Sequence, residues 1–334
     1  MESAGAKLLM HYSKTAFMGI TAVIRNLGTI SHNLELCKKH ITEFNPDVVI
    51  FIDYPGFNLR IAEYAKRSGY RTFYYISPKF WAWNEGRVEK VKKFIDRMFI
   101  IFPFETNFYR IHGIEVEYMG NPLVDEISRR TSLFGKKDEV RRSLGLDEKP
   151  VIALLAGSRR HEIEYVLPMM LKTVAHFPQC RFVLAGVKNL NDDFYRKIIG
   201  NYNISLIKEK TYEILHIADA ALVTSGTATL EAALHGTPQV VCYKGDFLSM
   251  IIGWMVIKVK HISLVNLIMN AEVVKELVQY DLTEENLVRE LKSVLPGGER
   301  RDKMLGDYDE LKKILGPSGA SGRIAAEMVR ELKK

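Results

Sequence analysis

The sequence predicts an α/β protein of two consecutive doubly wound domains facing a shared cleft. Three observations lead there. The chain has 334 residues, more than one ordinary core organises. Continuous apolar runs such as VVIFI at 48–52 and VIALL at 151–155 recur along it, the pattern of strands buried on both faces of a parallel sheet. Each run is followed by a helical pattern that a glycine or proline turn closes.

In order, Val48–Ile52 reads as a strand ending at Asp53, and a helix follows over 58–68 with Gly69 as its stop. A second strand spans 71–76, a helix 88–94, a third strand 97–101 and a short helix 105–112. Residues 115–119 then lead into the Gly120-Asn121-Pro122 turn. The stretch 128–150 is polar and charged, which predicts a linker with one short helix and a domain boundary near Glu148. The first domain is therefore expected over 1–148 and the second over 149–308. Strands at 151–155, 181–185, 204–207, 220–223 and 239–243 alternate there with helices at 162–175, 211–218 and 225–234.

Composition narrows the partners. Lys and Arg number 47 against 40 Asp and Glu, a formal charge of +7, with a pI near 9.1. That balance suits nucleic acid, an anionic membrane surface or a phosphorylated substrate. No helix-turn-helix, zinc finger or RNA-binding signature accompanies it, so nucleic acid is not expected. Cys37, Cys180 and Cys242 lie too far apart for a disulfide framework or a zinc site and read as buried thiols. The residues after Met1 mix charge and polarity, which predicts no signal peptide. The most apolar stretch, 247–259, is shorter than a membrane span. It reads either as a segment lying on a membrane surface or as a buried helix.

The chemistry-bearing motifs sit at strand ends, where ligands bind in such sheets. In TSGTATLE (224–231) a strand ends, hydroxyl residues flank a glycine and a helix begins. Unpaired N–H groups and the positive end of the helix dipole favour a diphosphate there. Gly226 allows close approach, Ser225 and Thr227 can donate, and Glu231 one turn on can accept from a ribose diol. The alternative is plain N-capping by Ser225 or Thr227. Gly157-Ser158-Arg159 follows another strand, and Arg159 is placed to neutralise a diphosphate. Asp53, at the end of a first-domain strand, fits a general base toward a hydroxyl, or else a turn-stabilising aspartate. Asn266, polar within an apolar run, is either a core hydrogen-bonder or a group aimed at the donor. In SPKFWAWN (77–84), Phe80, Trp81 and Trp83 precede Arg87 and three lysines. They suit a membrane interface or a phosphorylated lipid, or else are core aromatics beside a solvated basic helix.

Taken together, AFMG (16–19), IDYPGFNLR (52–60), YYISPKFWAW (74–83), FPFE (102–105), GNPLVD (120–125), LLAGSRRHEI (154–163), TSGTATLEAAL (224–234) and SLVNLI (263–268) resemble the lipid-A-disaccharide synthase family. These stretches run in family order across nearly the whole chain. The resemblance implies a GT-B fold of two Rossmann-like domains, with residues 309–334 a helical segment crossing back to the first. It implies an inverting transfer without metal or cofactor from UDP-2,3-diacylglucosamine to 2,3-diacylglucosamine 1-phosphate (lipid X). Asp53 then matches the catalytic aspartate, Arg159 and Glu231 the donor-binding residues, and Asn266 the asparagine of the SLxNL motif. Peripheral attachment to the cytoplasmic face of the inner membrane is implied as well, and a homodimer is compatible with it. The family's opening strand and GEASGD-like loop have no counterpart here. This predicts a first domain lacking its N-terminal strand-helix-strand unit, an exposed sheet edge and an impaired reaction. The alternatives are another GT-B UDP-sugar transferase or epimerase, and a membrane-associated binding homologue without turnover.

Overall fold

The computed structural model describes residues 2–10, 26–83, 85–245 and 260–333. The AFMG stretch and the apolar stretch 247–259 lie outside the described residues, as does the Trp83 side chain.

The first unit begins with α1 (Leu27–Phe44) and alternates β1 (Val48–Ile52), α2 (Pro55–Arg67), β2 (Arg71–Tyr75), α3 (Val88–Phe94), β3 (Arg97–Ile100), α4 (Glu105–Ile111) and β4 (Glu117–Tyr118). Its four described strands are parallel and lie in chain order, β1-β2-β3-β4. Ile50 and Ile52 are exposed on β1, the edge strand among the described residues. Two helices follow, α5 (Pro122–Thr131) and α6 (Lys137–Ser143).

The second unit alternates β5 (Val151–Leu155), α7 (Arg160–Leu171), β6 (Arg181–Gly186), α8 (Asp192–Ile199), β7 (Ser205–Lys208), α9 (Thr211–Ile217), β8 (Ala220–Thr224), α10 (Thr227–Leu234) and β9 (Gln239–Tyr243). It continues through α11 (Leu264–Met269), β10 (Lys275–Val278), α12 (Glu284–Val294) and α13 (Arg301–Leu315). Its six described strands are all parallel, in the order β10-β9-β8-β5-β6-β7. The chain winds outward from β5 to β7, then returns to the other side of β5 and winds outward again.

Strand periodicity divides the core of this unit between two helical layers. Ile152, Leu154, Ala220 and Leu222 face α7 and α12, against Ile163, Leu167 and Leu291. Ala153, Leu155, Ala221 and Val223 face α9, against Ile214, Leu215 and Ile217. Phe134, Val140, Leu144 and Leu146 join that second layer, although they precede Glu148. The stretch expected to be a linker therefore carries apolar side chains at helical spacing, spread among charges that hide them. Position 308 falls inside α13, whose Leu311 and Leu315 remain in the second core, so the return to the first unit starts at Gly316. Of the thiols expected to be buried, Cys242 is, while Cys37 and Cys180 are half-buried.

The last helix, α14 (Ala320–Leu332), covers one face of the first sheet. Phe73 and Phe99 meet edge to face at 6.1 Å, with Ile324 and Met328 packed on them. The opposite face holds Phe51, Tyr74, Met98 and Ile100 against Leu59, Ala62, Val88 and Val91. Asp125 on α5 caps α14, accepting from the amides of Gly319 (2.7 Å), Ala320 (3.1 Å) and Ser321 (2.8 Å). Burial opposes its charge, but the hydrogen bonds from Ser321, Gly319 and Ala320 outweigh it and hold its pKa below the ordinary 3.8.

Replacing this cap, Asp125→Ala, is expected to cost about 1–2 kcal/mol in urea unfolding at neutral pH. Because the folded-state pKa is depressed, the cap's contribution is complete above the ordinary value of 3.8 and is lost as pH falls through the lower folded value. The gap between wild type and variant should therefore shrink below that pH.

Candidate active site

β5 and β8 pair in parallel with Leu155 opposite Val223, so the loops leaving their carboxyl ends start side by side. This is where the winding of the second sheet reverses, and helices of opposite layers diverge to leave a crevice. A cavity of about 660 Å³ opens there, bordered by Gly157, Ser158, Arg159, Ser225, Gly226, Thr227 and Glu231. Lys79 and Trp81 reach its wall from the first unit. The structure thus brings together seven of the eight residues expected at the donor site.

At the start of α10, Gly226 has φ 157° and ψ −160°, a conformation essentially restricted to glycine. A Cβ there would meet nothing within 4 Å, so backbone can approach a ligand closely. The N-cap is Gly226 itself, and among the described residues neither Ser225 nor Thr227 caps the helix, which sets aside the plain-capping alternative. Thr227 is exposed. Ser225 corrects one expectation: its hydroxyl donates to Ile262 O at 2.9 Å instead of serving as a free phosphate donor. Two buried polar atoms on the cavity wall, Thr224 Oγ1 and His261 Nε2, have no hydrogen-bond partner among the described residues. Such atoms are costly unless a ligand or water completes them.

On the facing loop, the Glu162 carboxylate accepts from the amides of Ser158 (3.2 Å) and Arg159 (3.3 Å). It also pairs with Arg159 Nη1 at 2.7 Å, orienting the guanidinium at the mouth of the cavity. Gly157 has φ 111°, and a Cβ there would strike Glu162 Oε2 at 2.8 Å. Glu231, one turn inside α10, is desolvated, and burial pushes its pKa above the usual 4.5.

Asn266 is the exception among the expected donor residues. It is fully buried and does not border the cavity. Its Nδ2 donates to Val274 O and Glu276 Oε1, both at 2.8 Å, and its Oδ1 accepts from the amides of Val273 and Val274. Every hydrogen-bonding direction of the amide is used, leaving none for a ligand. Its work is positional, shared with Glu276, which sequence reasoning passed over. Glu276 accepts from Ile262 N, Ser263 N and Ser263 Oγ. The network fixes the 261–264 segment whose carbonyl holds Ser225. A glutamate in KELV looks like any exposed strand residue, and no local signal marks it.

In the first unit, Asp53 is exposed at the end of β1 and does not border the donor cavity. Asp53 and Tyr54 both have left-handed backbones, with φ 47° and 48°. Two such residues cost on the order of 1–3 kcal/mol each unless their surroundings hold them. Here Asn58 Nδ2 donates to Ile52 O and to Asp53 O, and Tyr74 OH donates to Asp53 O at 2.6 Å. Burial first, then the Asp53 charge, push the Tyr74 hydroxyl far above its usual range, so it remains a donor.

Trp81 is half-buried on the cleft wall. Its indole donates to Glu105 at 3.1 Å and packs edge-on against Phe104 at 4.9 Å. Glu105, only 1% exposed, also accepts from Ser77 Oγ and Phe102 N, pinning the turn that carries Lys79 and Trp81. Phe80 is 2% exposed and belongs to the core, so it cannot meet a membrane or an acceptor; the short helical turn Phe80–Trp83 buries it while Trp81 faces the cleft. Arg87 is exposed beside the start of α2.

An Asn266→Ala variant leaves the amides of Val273 and Val274 buried without acceptors. It is expected to lose about 2–4 kcal/mol in urea unfolding without any ligand. A stability equal to wild type would mean that Asn266 does not hold the loop.

A family model described as lipid-A-disaccharide synthetase matches residues 1–321. The lipid-A-disaccharide synthase of Syntrophus aciditrophicus (strain SB) is 38% identical over 345 residues, spanning all of this chain and 88% of the relative. That of Geobacter sulfurreducens is 33% identical over 341 residues, with the same two coverages. Among solved structures, a UDP-GlcNAc 2-epimerase from Neisseria meningitidis bound to UDP-GlcNAc superposes with TM-score 0.66 at 14% identity, covering 96% of this chain and 84% of that one. UGT73P12 of Glycyrrhiza uralensis, complexed with glycyrrhetinic acid 3-O-monoglucuronide, gives 0.60 at 13%, covering 95% and 80%. At such identities the structural likeness bears on the fold alone, and it is the GT-B fold. On the extent of the family match and the identity to its members, the chain belongs to the lipid-A-disaccharide synthase family of glycosyltransferases.

Proposed function

We propose that the chain transfers the sugar of UDP-2,3-diacylglucosamine to the 6-hydroxyl of 2,3-diacylglucosamine 1-phosphate. The products are a β-1,6-linked disaccharide 1-phosphate and UDP. The observation that carries this reading is one cavity in a chain of this family, where the uncapped start of α10, Arg159 and Glu231 converge. The helix start and Arg159 meet the diphosphate, and Glu231 accepts from the ribose diol. His261 Nε2 and Thr224 Oγ1, buried and without a partner among the described residues, keep hydrogen-bonding capacity beside this cavity.

In the reaction, Asp53 takes the proton from the acceptor's 6-hydroxyl as that oxygen attacks the anomeric carbon. The bond from that carbon to the diphosphate breaks on the opposite face, so configuration inverts. Charge growing on the departing UDP is met by Arg159 and by the α10 amides. Lys79, exposed on the facing wall, adds a cation when the two units close on substrate. Both substrates are acylated and anionic, which suits a chain of net charge +7 working peripherally at the cytoplasmic face of the inner membrane. No described helix is long and apolar enough to cross a membrane.

Asp53→Ala should lower kcat for disaccharide formation by about 10²–10⁴-fold and leave the Kd for UDP unchanged. Unchanged turnover would remove Asp53 as the base. Donor binding should also depend on pH. The ribose hydroxyls favour ionised Glu231, whose pKa in the free protein is raised above 4.5 by burial. Affinity for a UDP-sugar, measured by calorimetry, should therefore weaken as pH falls through that raised value, and Glu231→Gln should flatten the profile.

A further inference from the structure

The first unit carries a second cavity, about 340 Å³, that shares no lining residue with the donor cavity. It lies between the start of α2 and the basic face leading into α3. Three cations, Arg60, Arg87 and Lys90, border it. Among the described residues no carboxylate lines it. The nearest acid on α2, Glu63, is engaged by Arg67 at 2.8 Å and stands 3.9 Å from Lys90. The remaining wall includes Tyr54 and Phe57, whose rings stack at 5.9 Å and 20°. Asp53 immediately precedes Tyr54, and its backbone is fixed by Asn58 and Tyr74.

We propose that this cavity is the subsite for the acceptor's sugar phosphomonoester, with Arg60 and Lys90 binding the phosphate. The inference rests on the function proposed above. A phosphate dianion needs several donors of opposite charge, and an arginine fork matches its geometry. The stacked rings offer a flat apolar wall to the sugar or to its acyl chains. In a hexosamine 1-phosphate, the phosphate and C6 lie on either side of the ring oxygen. Holding the phosphate on Arg60 thus leaves the 6-hydroxyl about one ring away, toward the strained turn that presents Asp53. The backbone strain at Asp53 and Tyr54 acquires a purpose: it sets the base at the rim of the acceptor subsite.

The test uses the whole chain as wild type, Arg60→Gln, and Arg60→Gln with Lys90→Gln. Disaccharide formation is measured at saturating donor, with the phosphorylated acceptor and with the same acceptor lacking its 1-phosphate. In the double variant, KM for the phosphorylated acceptor should rise about 10- to 100-fold, the loss of one or two charge-assisted bonds. KM for the unphosphorylated acceptor and the Kd for UDP should stay as in wild type. An equal loss with both acceptors, or no loss with either, overturns the subsite.

If wild type turns over neither acceptor, the proposed reaction fails, and titration with glucosamine 1-phosphate decides the subsite separately. Binding to wild type that is lost in the double variant supports it; equal binding to both, or none to wild type, overturns it. Vesicles of phosphatidylglycerol distinguish a sugar phosphate from membrane headgroups. A double variant that loses vesicle binding but retains full preference for the phosphorylated acceptor would assign these cations to the membrane and overturn the proposal.

Discussion

Parallel pairing of β5 with β8 is the constraint on which the candidate site depends. Sixty-four residues separate the end of one strand from the start of the next, and three α-helices and two strands intervene. Only when Leu155 lies opposite Val223 do the loops carrying Arg159 and Gly226 open into the same crevice. The reversal of winding at that point sends α7 and α10 to opposite sides of the sheet and leaves the crevice unfilled. The cavity is thus a consequence of topology, and the side chains at its rim supply its chemistry.

Around that crevice, buried or half-buried carboxylates do the positioning. Glu162 satisfies the amides of the Arg159 loop and steers its guanidinium. Glu276 gathers Ile262, Ser263 and Asn266 into one network, which in turn holds Ser225. Glu105 does the same for the turn that brings Lys79 and Trp81 to the cleft. Each loop alone would carry unpaired amides and wide conformational freedom; a carboxylate with several acceptor sites satisfies several donors at once. Conversely, Thr224 Oγ1 and His261 Nε2, on residues that line the cavity, have no partner among the described residues.

The two units are joined by more than a linker. Phe102, Leu123 and Val124 pack into the core of the second unit. In return α14 leaves that unit to cover Phe73 and Phe99. Tyr118 donates to Leu315 O at 2.8 Å and Arg323 to Met119 O, tying the crossover to the β4 end. A sheet needs both faces covered, and the first sheet obtains its second cover from the far end of the chain. The two walls of the cleft are therefore mechanically coupled through α5 and α14.

The sequence by itself determined the alternation of elements, because apolar runs and glycine stops are local signals of backbone period. It also marked most residues of the cavity at the β5–β8 ends, since Gly226, Arg159 and Glu231 stand in motifs that follow strand ends. Tertiary structure alone decided three matters. It spent Asn266 and the Ser225 hydroxyl on internal hydrogen bonds, because partners distant in sequence came within reach. It buried Phe80 while leaving Trp81 on the cleft wall, a choice that depends on which side of one short turn faces the core. It gave Glu276, Glu105 and Asp125 their tasks, which no spacing reveals: a carboxylate's role depends on which donors surround it, and those donors come together only in the folded chain.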